Sequence, residues 1–386
     1  MNICHIITRL IIGGAQENTL LTCLGLHERG HQVTLLTGPE TGPEGSLLEE
    51  AAAGGYSVHV IPTLRRAVRP IMDWRARRDL AQALSALNPE VVHTHSSKAG
   101  ILGRLAARDV GVPTIVHTIH GMSFNRTQSP LVRGLYRRFE RHCARFTDRL
   151  VTVADAMSSQ AAAAGMAEPE KFTTIYSGMR TERFTPEQYD RPAARRSWGA
   201  GDDEVVVGTI ARLFDNKGYE QLIPAMAEAI RYAPGLRFVW VGDGPGRDEY
   251  ESRLSQLRLR DRVYMTGLIP PEEVPAVLAG VDVLVHASQW EGLPRAAVQA
   301  LLMRVPVISF DIDGAPEVVI PGQTGELVPL NDVASLTRQI VALAADPARR
   351  ARYGQAGREL CLQRFDWRTM VVQLEHLYQK LSHPRA

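Results

Sequence analysis

Short apolar runs alternate along this chain with longer stretches whose apolar residues recur at helical spacing. NICHIIT, a glycine turn at Gly13 and Gly14, a helical stretch to Arg29 and the run QVTLLT read as strand, loop, helix, strand. The rhythm continues through SVHVI, VVHTH, TIVHTIH and RLVTVA, with helical patterns such as Asp79 to Leu87 and Gly100 to Arg108 between most of them. From about Thr181 to Asp203 it breaks, in a segment rich in Pro, Gly and charge that reads as a linker. A second series follows: EVVVGTI, LRFVWVG, RVYMTG, VDVLVHA, VPVISF and GELVP, separated by helices such as Tyr219 to Arg231 and Arg295 to Met303.

The pattern predicts an α/β protein of two consecutive doubly wound, Rossmann-like domains, 1–186 and 187–365. A closing helical run from Asp366 to Leu381, within 366–386, could pack on either. Sheets of this kind bind ligands at the carboxyl ends of their strands, so a shared site is expected in a central cleft that the two domains face. A chain of 386 residues with 45% apolar content is long enough for two cores.

Charge changes the picture only locally. With 44 Lys+Arg against 42 Asp+Glu, nothing points to nucleic acid as a partner. Residues up to Pro186 carry 21 basic and 16 acidic side chains and the remainder 23 and 26, so the halves stand at +5 and −3. The excess lies in two runs, LRRAVRPIMDWRARR from Leu64 and RGLYRRFERHCARFTDR from Arg133. Their interleaved apolar residues suit a solvated helix face or an anionic lipid surface equally. Cys4, Cys23, Cys143 and Cys361 are scattered without metal-ligand spacing, as in a reduced cytosolic protein. Arg9 interrupts the apolar start and no small-residue cleavage site follows, so an export signal is not expected. No stretch reaches transmembrane length.

Candidate chemistry concentrates beyond the strand ends. In GTIARLFDNKGYEQLIPA, Arg212 and Lys217 stand between a strand and a helix beginning near Gly218. Free amides and the helix dipole attract phosphate there, and an Arg fork with a Lys point charge would complete a diphosphate clamp. Taken alone, two exposed loop cations would look the same. In ASQWEGLPRAAVQAL, Glu291 and Gly292 follow a strand, with Pro294 placed for the first turn of a helix. Eight positions separate Glu291 from Gln299, about two helical turns, so the pair could bracket a polar ligand. Glu291 could equally cap the helix. His93, His95, His117 and His120 fall near the ends of two successive strands. Without a carboxylate or Cys at ligand spacing, zinc is not the expected reading.

RLFDNKG, VGDGP, EGLP and DGAPEVVIPGQTGELV, in this order, resemble the retaining GT-B glycosyltransferases of family 4, from the GGAQ loop to the closing FDWRTMVVQLEHLY. The resemblance implies that Arg212 and Lys217 hold the diphosphate of a nucleotide-sugar donor and that Glu291 contacts hydroxyls of its sugar. Gln299 stands where the family has a second Glu on the ribose. Gly13 and Gly14 are expected at the donor phosphate, and Gly244, Gly267, Leu268, Gly292, Leu293 and Pro294 along the donor. His120, followed by Gly121, matches the histidine that faces the donor sugar, while His95 and Lys98 are expected nearer the acceptor. Asp313 departs from the family, standing where a glycine is common.

The function so implied is retaining transfer of a hexosyl or N-acetylhexosaminyl group to an acceptor hydroxyl, with UDP as the expected nucleotide and a sugar or lipid-linked, cell-envelope acceptor. Attack comes on the donor face that the phosphate leaves. No metal or other cofactor is expected, since the cations and helix termini do its work. The basic runs and the family's habits suggest a cytoplasmic protein with peripheral contact on the inner, anionic membrane face. Two alternatives remain open, a nucleotide-sugar epimerase on the same fold and a non-catalytic binding protein. A nicotinamide enzyme does not fit, because GGAQEN is not GxGxxG and QVTLLTG ends without an acid for the ribose.

Overall fold

The computed structural model of the protein describes residues 1–40, 42, 45–124 and 128–382. They divide into two units, Met1–Met179 with Asp366–Ala386, and Arg180–Phe365. In the first, β1 (Asn2–Ile7), β2 (Gln32–Thr37), β3 (Ser57–Val60), β4 (Val91–His95), β5 (Thr114–Ile119), β6 (Arg149–Thr152) and β7 (Phe172–Thr174) form a parallel sheet in the order β3-β2-β1-β4-β5-β6-β7. In the second, β8 (Val205–Ile210), β9 (Leu236–Val241), β10 (Val263–Gly267), β11 (Val283–His286), β12 (Val307–Phe310) and β13 (Gly325–Val328) run β10-β9-β8-β11-β12-β13. Both orders reverse beside the unit's first strand, the switch point at which doubly wound sheets bind ligands.

Burial explains why the central strands read as continuous apolar runs. Ile3, Cys4, Ile6 and Ile7 of β1 are fully buried, and Leu20, Leu21 and Leu26 are buried on the helix Gly14–Glu28 that covers it. Register then places chemistry. His5 of β1 lies opposite His93 of β4, and His95 lies opposite Thr118 of β5. Side chains alternate between faces along a strand, so His5, His93, His95 and Thr118 share one face.

Two expectations on organisation change, and one left open is resolved. The unit boundary falls after Met179 rather than at 186, because the turn Thr181–Arg183 and its neighbours belong to the second unit, where Arg358 donates to the Phe184 carbonyl at 2.6 Å. The expected linker holds the helix Arg191–Ser197, which Asp190 caps through the Ala193 amide at 3.0 Å and which Arg195 ties to Asp282 at 2.9 Å. The closing helix, Trp367–Ser382, packs on the first unit: Met370, Val371, Leu374 and Tyr378 join Leu20, Leu21 and Leu26 in one core, and Glu375 bridges Arg29 at 2.6 Å and His31 at 2.7 Å. No helix among the described residues is long and apolar enough to cross a membrane.

Candidate active site

The second unit brings two of the sequence candidates into contact. Beyond β8 the chain lies against the turn after β9, with the Leu213 amide donating to the Asp243 carbonyl at 3.0 Å. Gly244 belongs to that turn, and a Cβ on it would come within 2.5 Å of the Leu213 carbonyl oxygen. A single 3-10 turn, Asp215–Lys217, then leads through Gly218 into the helix Tyr219–Tyr232. Gly218 has φ 76°, and a Cβ there would lie 1.9 Å from the Ala287 carbonyl oxygen, so glycine alone lets the turn seat on the end of β11. The Gln289 amide donates to the Asn216 carbonyl at 3.0 Å, stitching the two loops together.

Lys217 Nζ consequently lies 2.5 Å from Glu291 Oε1, with His286 Nε2 3.7 Å from the same oxygen. Burial works to raise the Glu291 carboxyl, but the His286 ring and the Lys217 ammonium outweigh it and bring it down from the ordinary 4.5 to about 2. The carboxylate is ionised throughout the physiological range. Its own amide donates to Asp313 Oδ2 at 2.7 Å, and Asp313 holds a left-handed backbone, φ 44°. Arg212 is exposed, its guanidinium 4.7 Å from the centroid of the Phe214 ring.

Glu291 does not cap the following helix. Arg295–Leu302 has Pro294 at its N-cap and no side-chain cap. Gly292 is half-buried in the intervening loop, Leu293 and Pro294 are buried, and Gln299 sits half-buried on the helix. Gly267 closes β10 at φ 71° and accepts from the Gly242 amide at 3.0 Å, while Leu268 beside it is exposed.

In the first unit, Gly13 and Gly14 are the N-cap and first residue of the helix Gly14–Glu28. Gly13 is extended, φ 178°, so its backbone does not require glycine. Ala15 in the first turn lines a cavity together with Ser96, Ser97, Thr118 and His120. Lys98 is tied down by Asp73 at 2.5 Å. His95 is not placed to meet an acceptor: it is 1% exposed, with both ring nitrogens within hydrogen-bond distance of other histidines, His5 and His120.

The four histidines do not form one group. His117 points to the opposite face from His93 and His95, against the Thr94 hydroxyl at 2.9 Å. The residue that joins His93 and His95 is His5, whose ligand atoms lie within 4.8 Å of theirs. His93 already uses both nitrogens, on the Tyr378 and Thr118 hydroxyls. Sequence reading missed His5, which looks like a lone polar residue in an apolar strand, and His286, which closes the strand before the Glu291 loop.

Two doubly wound units, with a paired cation and carboxylate beyond the strand ends of the second, make a scaffold that binds ligands at those ends, and comparison with known proteins gives its class. Residues 190–360 match the family model of glycosyl transferases group 1, and residues 13–178 match that of the glycosyl transferase 4-like domain. The chain is 30% identical over 372 residues to the GDP-mannose-dependent alpha-(1-6)-phosphatidylinositol monomannoside mannosyltransferase of Mycolicibacterium smegmatis, covering 94% of each chain. It is 29% identical to the UDP-Gal:alpha-D-GlcNAc-diphosphoundecaprenol alpha-1,3-galactosyltransferase of Escherichia coli, over 90% of this chain and 88% of that one. Anabaena Alr3699/HepE in complex with UDP and glucose has the same fold, with a TM-score of 0.82 at 22% identity, over 98% of this chain and 99% of that one. The chain belongs to the glycosyl transferases group 1, with the GT-B fold, and is a glycosyltransferase acting on nucleotide-sugar donors.

Proposed function

We propose that the protein transfers a sugar from a UDP-sugar to a hydroxyl of a lipid-linked acceptor with retention at the anomeric carbon, and that it needs no metal. The observation that carries this reading is the Lys217–Glu291 pair at 2.5 Å beside exposed Arg212. Rupture of the bond from the anomeric carbon to the diphosphate oxygen puts positive charge on the sugar and negative charge on the phosphate. Arg212 and Lys217 stabilise the phosphate, and Glu291, anchored by Lys217 and Asp313, receives sugar hydroxyls. The acceptor oxygen bonds to the anomeric carbon on the face the diphosphate leaves, its proton passes to the leaving phosphate, and the nucleoside diphosphate is released. A retaining glycosidase would instead need two carboxylates about 5 Å apart.

On this reading His120 faces the donor sugar, Gly13 and Gly14 lie at the donor phosphate, and Gly244, Gly267, Leu268, Gly292, Leu293 and Pro294 lie along the donor. Gln299 serves the ribose as a neutral donor and acceptor. The Escherichia coli relative is named for a UDP-sugar, which supports UDP, whereas the Mycolicibacterium smegmatis relative is named for GDP-mannose. Both relatives quoted are named for lipid-bearing acceptors, which supports a lipid-linked one. The test is nucleotide release from a panel of UDP-, GDP- and ADP-sugars, with and without a polyprenyl-diphosphate sugar and with chelator present. Release from UDP-sugar only with acceptor is expected. Preference for a GDP-sugar would overturn the base, turnover without acceptor would favour an epimerase, and loss of activity to chelator would overturn metal independence.

Peripheral contact with an anionic membrane at the cytoplasmic face is a second part of the proposal. On the helix Pro130–Ala144, Leu131 is 87% exposed, and Val132, Leu135 and Phe139 are exposed among Arg133, Arg137, Arg138 and Arg141. The helix Pro70–Leu87 exposes Ile71 and Trp74 beside the other basic run. Such a face suits partial immersion at a headgroup layer.

A further inference from the structure

The segment that carries Arg212 and Lys217 begins where β8 ends and finishes where the helix Tyr219–Tyr232 starts. Its amide bonds are local or reach outward. Phe214 donates to the Arg212 carbonyl and Lys217 to the Phe214 carbonyl, each at 2.9 Å, while Leu213 is tied to Asp243 and Asn216 to Gln289. A side-chain bond crosses its mouth: the Tyr219 hydroxyl, on the first residue of the helix, donates to the Ala211 carbonyl at 3.1 Å, eight positions back.

Tyr219 is fully buried, its ring stacked on Tyr250 and edge-on to Trp240 of β9, each at 4.8 Å between centroids. Phenylalanine would fill that space equally well, and a buried hydroxyl costs free energy unless it is hydrogen-bonded. The oxygen of Tyr219 is therefore accounted for by what it holds, not by packing. Burial pushes the phenol well above its ordinary value of 10, so it stays a donor at any working pH.

This bond acts on the backbone of both cations. A trans peptide is planar, so the hydroxyl that fixes the Ala211 carbonyl also fixes the direction in which the chain enters Arg212. At the other end Tyr219 follows Lys217 by two positions, across Gly218, which is seated against the Ala287 carbonyl. Gly246, whose amide donates to the Leu213 carbonyl at 3.0 Å, leaves room for the Tyr250 ring, 2.8 Å from where its Cβ would stand. The ring stacked on Tyr219 thus also backs the turn that holds the middle of the segment.

We propose that Tyr219 is a positioning residue, its hydroxyl clasping the two ends of the segment 211–219 and so holding Arg212 and Lys217 at the spacing a diphosphate requires. This rests on the reading of the two cations as the diphosphate clamp.

Tyr219→Phe deletes the oxygen and keeps the ring. Affinity for UDP and GDP is measured by calorimetry and for uridine and guanosine by ligand-observed NMR, at a temperature where circular dichroism shows the variant folded. The diphosphate that wild type prefers is expected to bind about fivefold more weakly, with nucleoside affinity unchanged. A loss that falls equally on nucleoside and diphosphate marks a merely structural role and overturns the proposal, as does an unchanged diphosphate affinity. Arg212→Ala and Lys217→Ala separate this proposal from the reading beneath it. Should they weaken diphosphate binding where Tyr219→Phe does not, the clasp alone fails. Should they too leave it unchanged, the clamp fails and the clasp with it.

Discussion

Lys217 Nζ and Glu291 Oε1 are 2.5 Å apart although 74 positions separate them in the chain. Each holds the other in place: without Glu291 the half-buried Lys217 ammonium loses its carboxylate, and without Lys217 the Glu291 carboxylate keeps only the His286 ring. Lys217→Ala and Glu291→Ala are each expected to lower kcat by a hundredfold or more, on the order of 3 kcal/mol. The double variant should be little worse than either, which corresponds to an interaction energy of about 3 kcal/mol in a double-mutant cycle, the upper end for residues in contact. Near wild-type kcat in either single variant would sink the assignment, and circular dichroism checks that the fold survives.

The depressed Glu291 carboxyl has a signature in acid. Its charge is worth more in the folded state, so its contribution to stability is complete above the ordinary value of 4.5 and is lost as pH falls toward about 2. Urea unfolding of wild type and Glu291→Gln should differ by a constant amount from pH 5 to 8, and the gap should shrink between pH 4.5 and 2. A gap that closes already at pH 6 would refute the pairing.

Asp313 pays a backbone penalty at φ 44° and holds the Glu291 amide at 2.7 Å. Asp313→Gly relieves the first and removes the second, a charge-assisted bond of about 1.5–3 kcal/mol set against about 1 kcal/mol of relaxed strain. Stability should therefore shift by no more than about 2 kcal/mol, while kcat/KM falls roughly tenfold as the Glu291 loop loosens. Thermal melts and steady-state kinetics on one preparation separate the two effects.

Gly218→Ala tests the seating of the Lys217 turn. Its Cβ would meet the Ala287 carbonyl oxygen at 1.9 Å in a backbone region that alanine resists. A loss of about 3 kcal/mol or more is expected, read as a fall in the melting temperature, together with loss of turnover.

The exposed apolar and basic helix Pro130–Ala144 predicts binding to vesicles containing anionic lipid. Neutralising Arg137, Arg138 and Arg141 should weaken cosedimentation at least tenfold, and salt should weaken wild type in the same way. Unchanged cosedimentation would count against a membrane-facing role.

Most strands were legible because a parallel sheet covered on both faces demands continuous apolar runs, as in NICHII and VLVH. The edge strand Phe172–Thr174 was not, being three residues long and only half-buried. The cations and Glu291 could be picked out one by one, but the contact of Lys217 with Glu291 depends on β8 and β11 being neighbours, which no local pattern encodes. His5 became significant only through its register with His93. The division of the histidines could have been read beforehand: His93 and His95 are two apart and share a face, whereas His117 and His120 are three apart and cannot share one if the strand continues. Asp313 stood out as a departure, yet its hold on Glu291 joins two loops 22 positions apart, which no local pattern encodes.

The first unit is discontinuous: its core includes Met370, Leu374 and Tyr378, while every residue of the second unit lies between. During synthesis on a ribosome, the second unit therefore has all of its parts before the first does. The N-terminal sheet, made earliest, must wait for the last helix to cover Leu20 and Leu21 and to bring the Tyr378 hydroxyl to His93. A nascent chain stopped after Phe365 would carry a finished second unit and a first unit with an open apolar face, a substrate for chaperones until some seventeen more residues arrive.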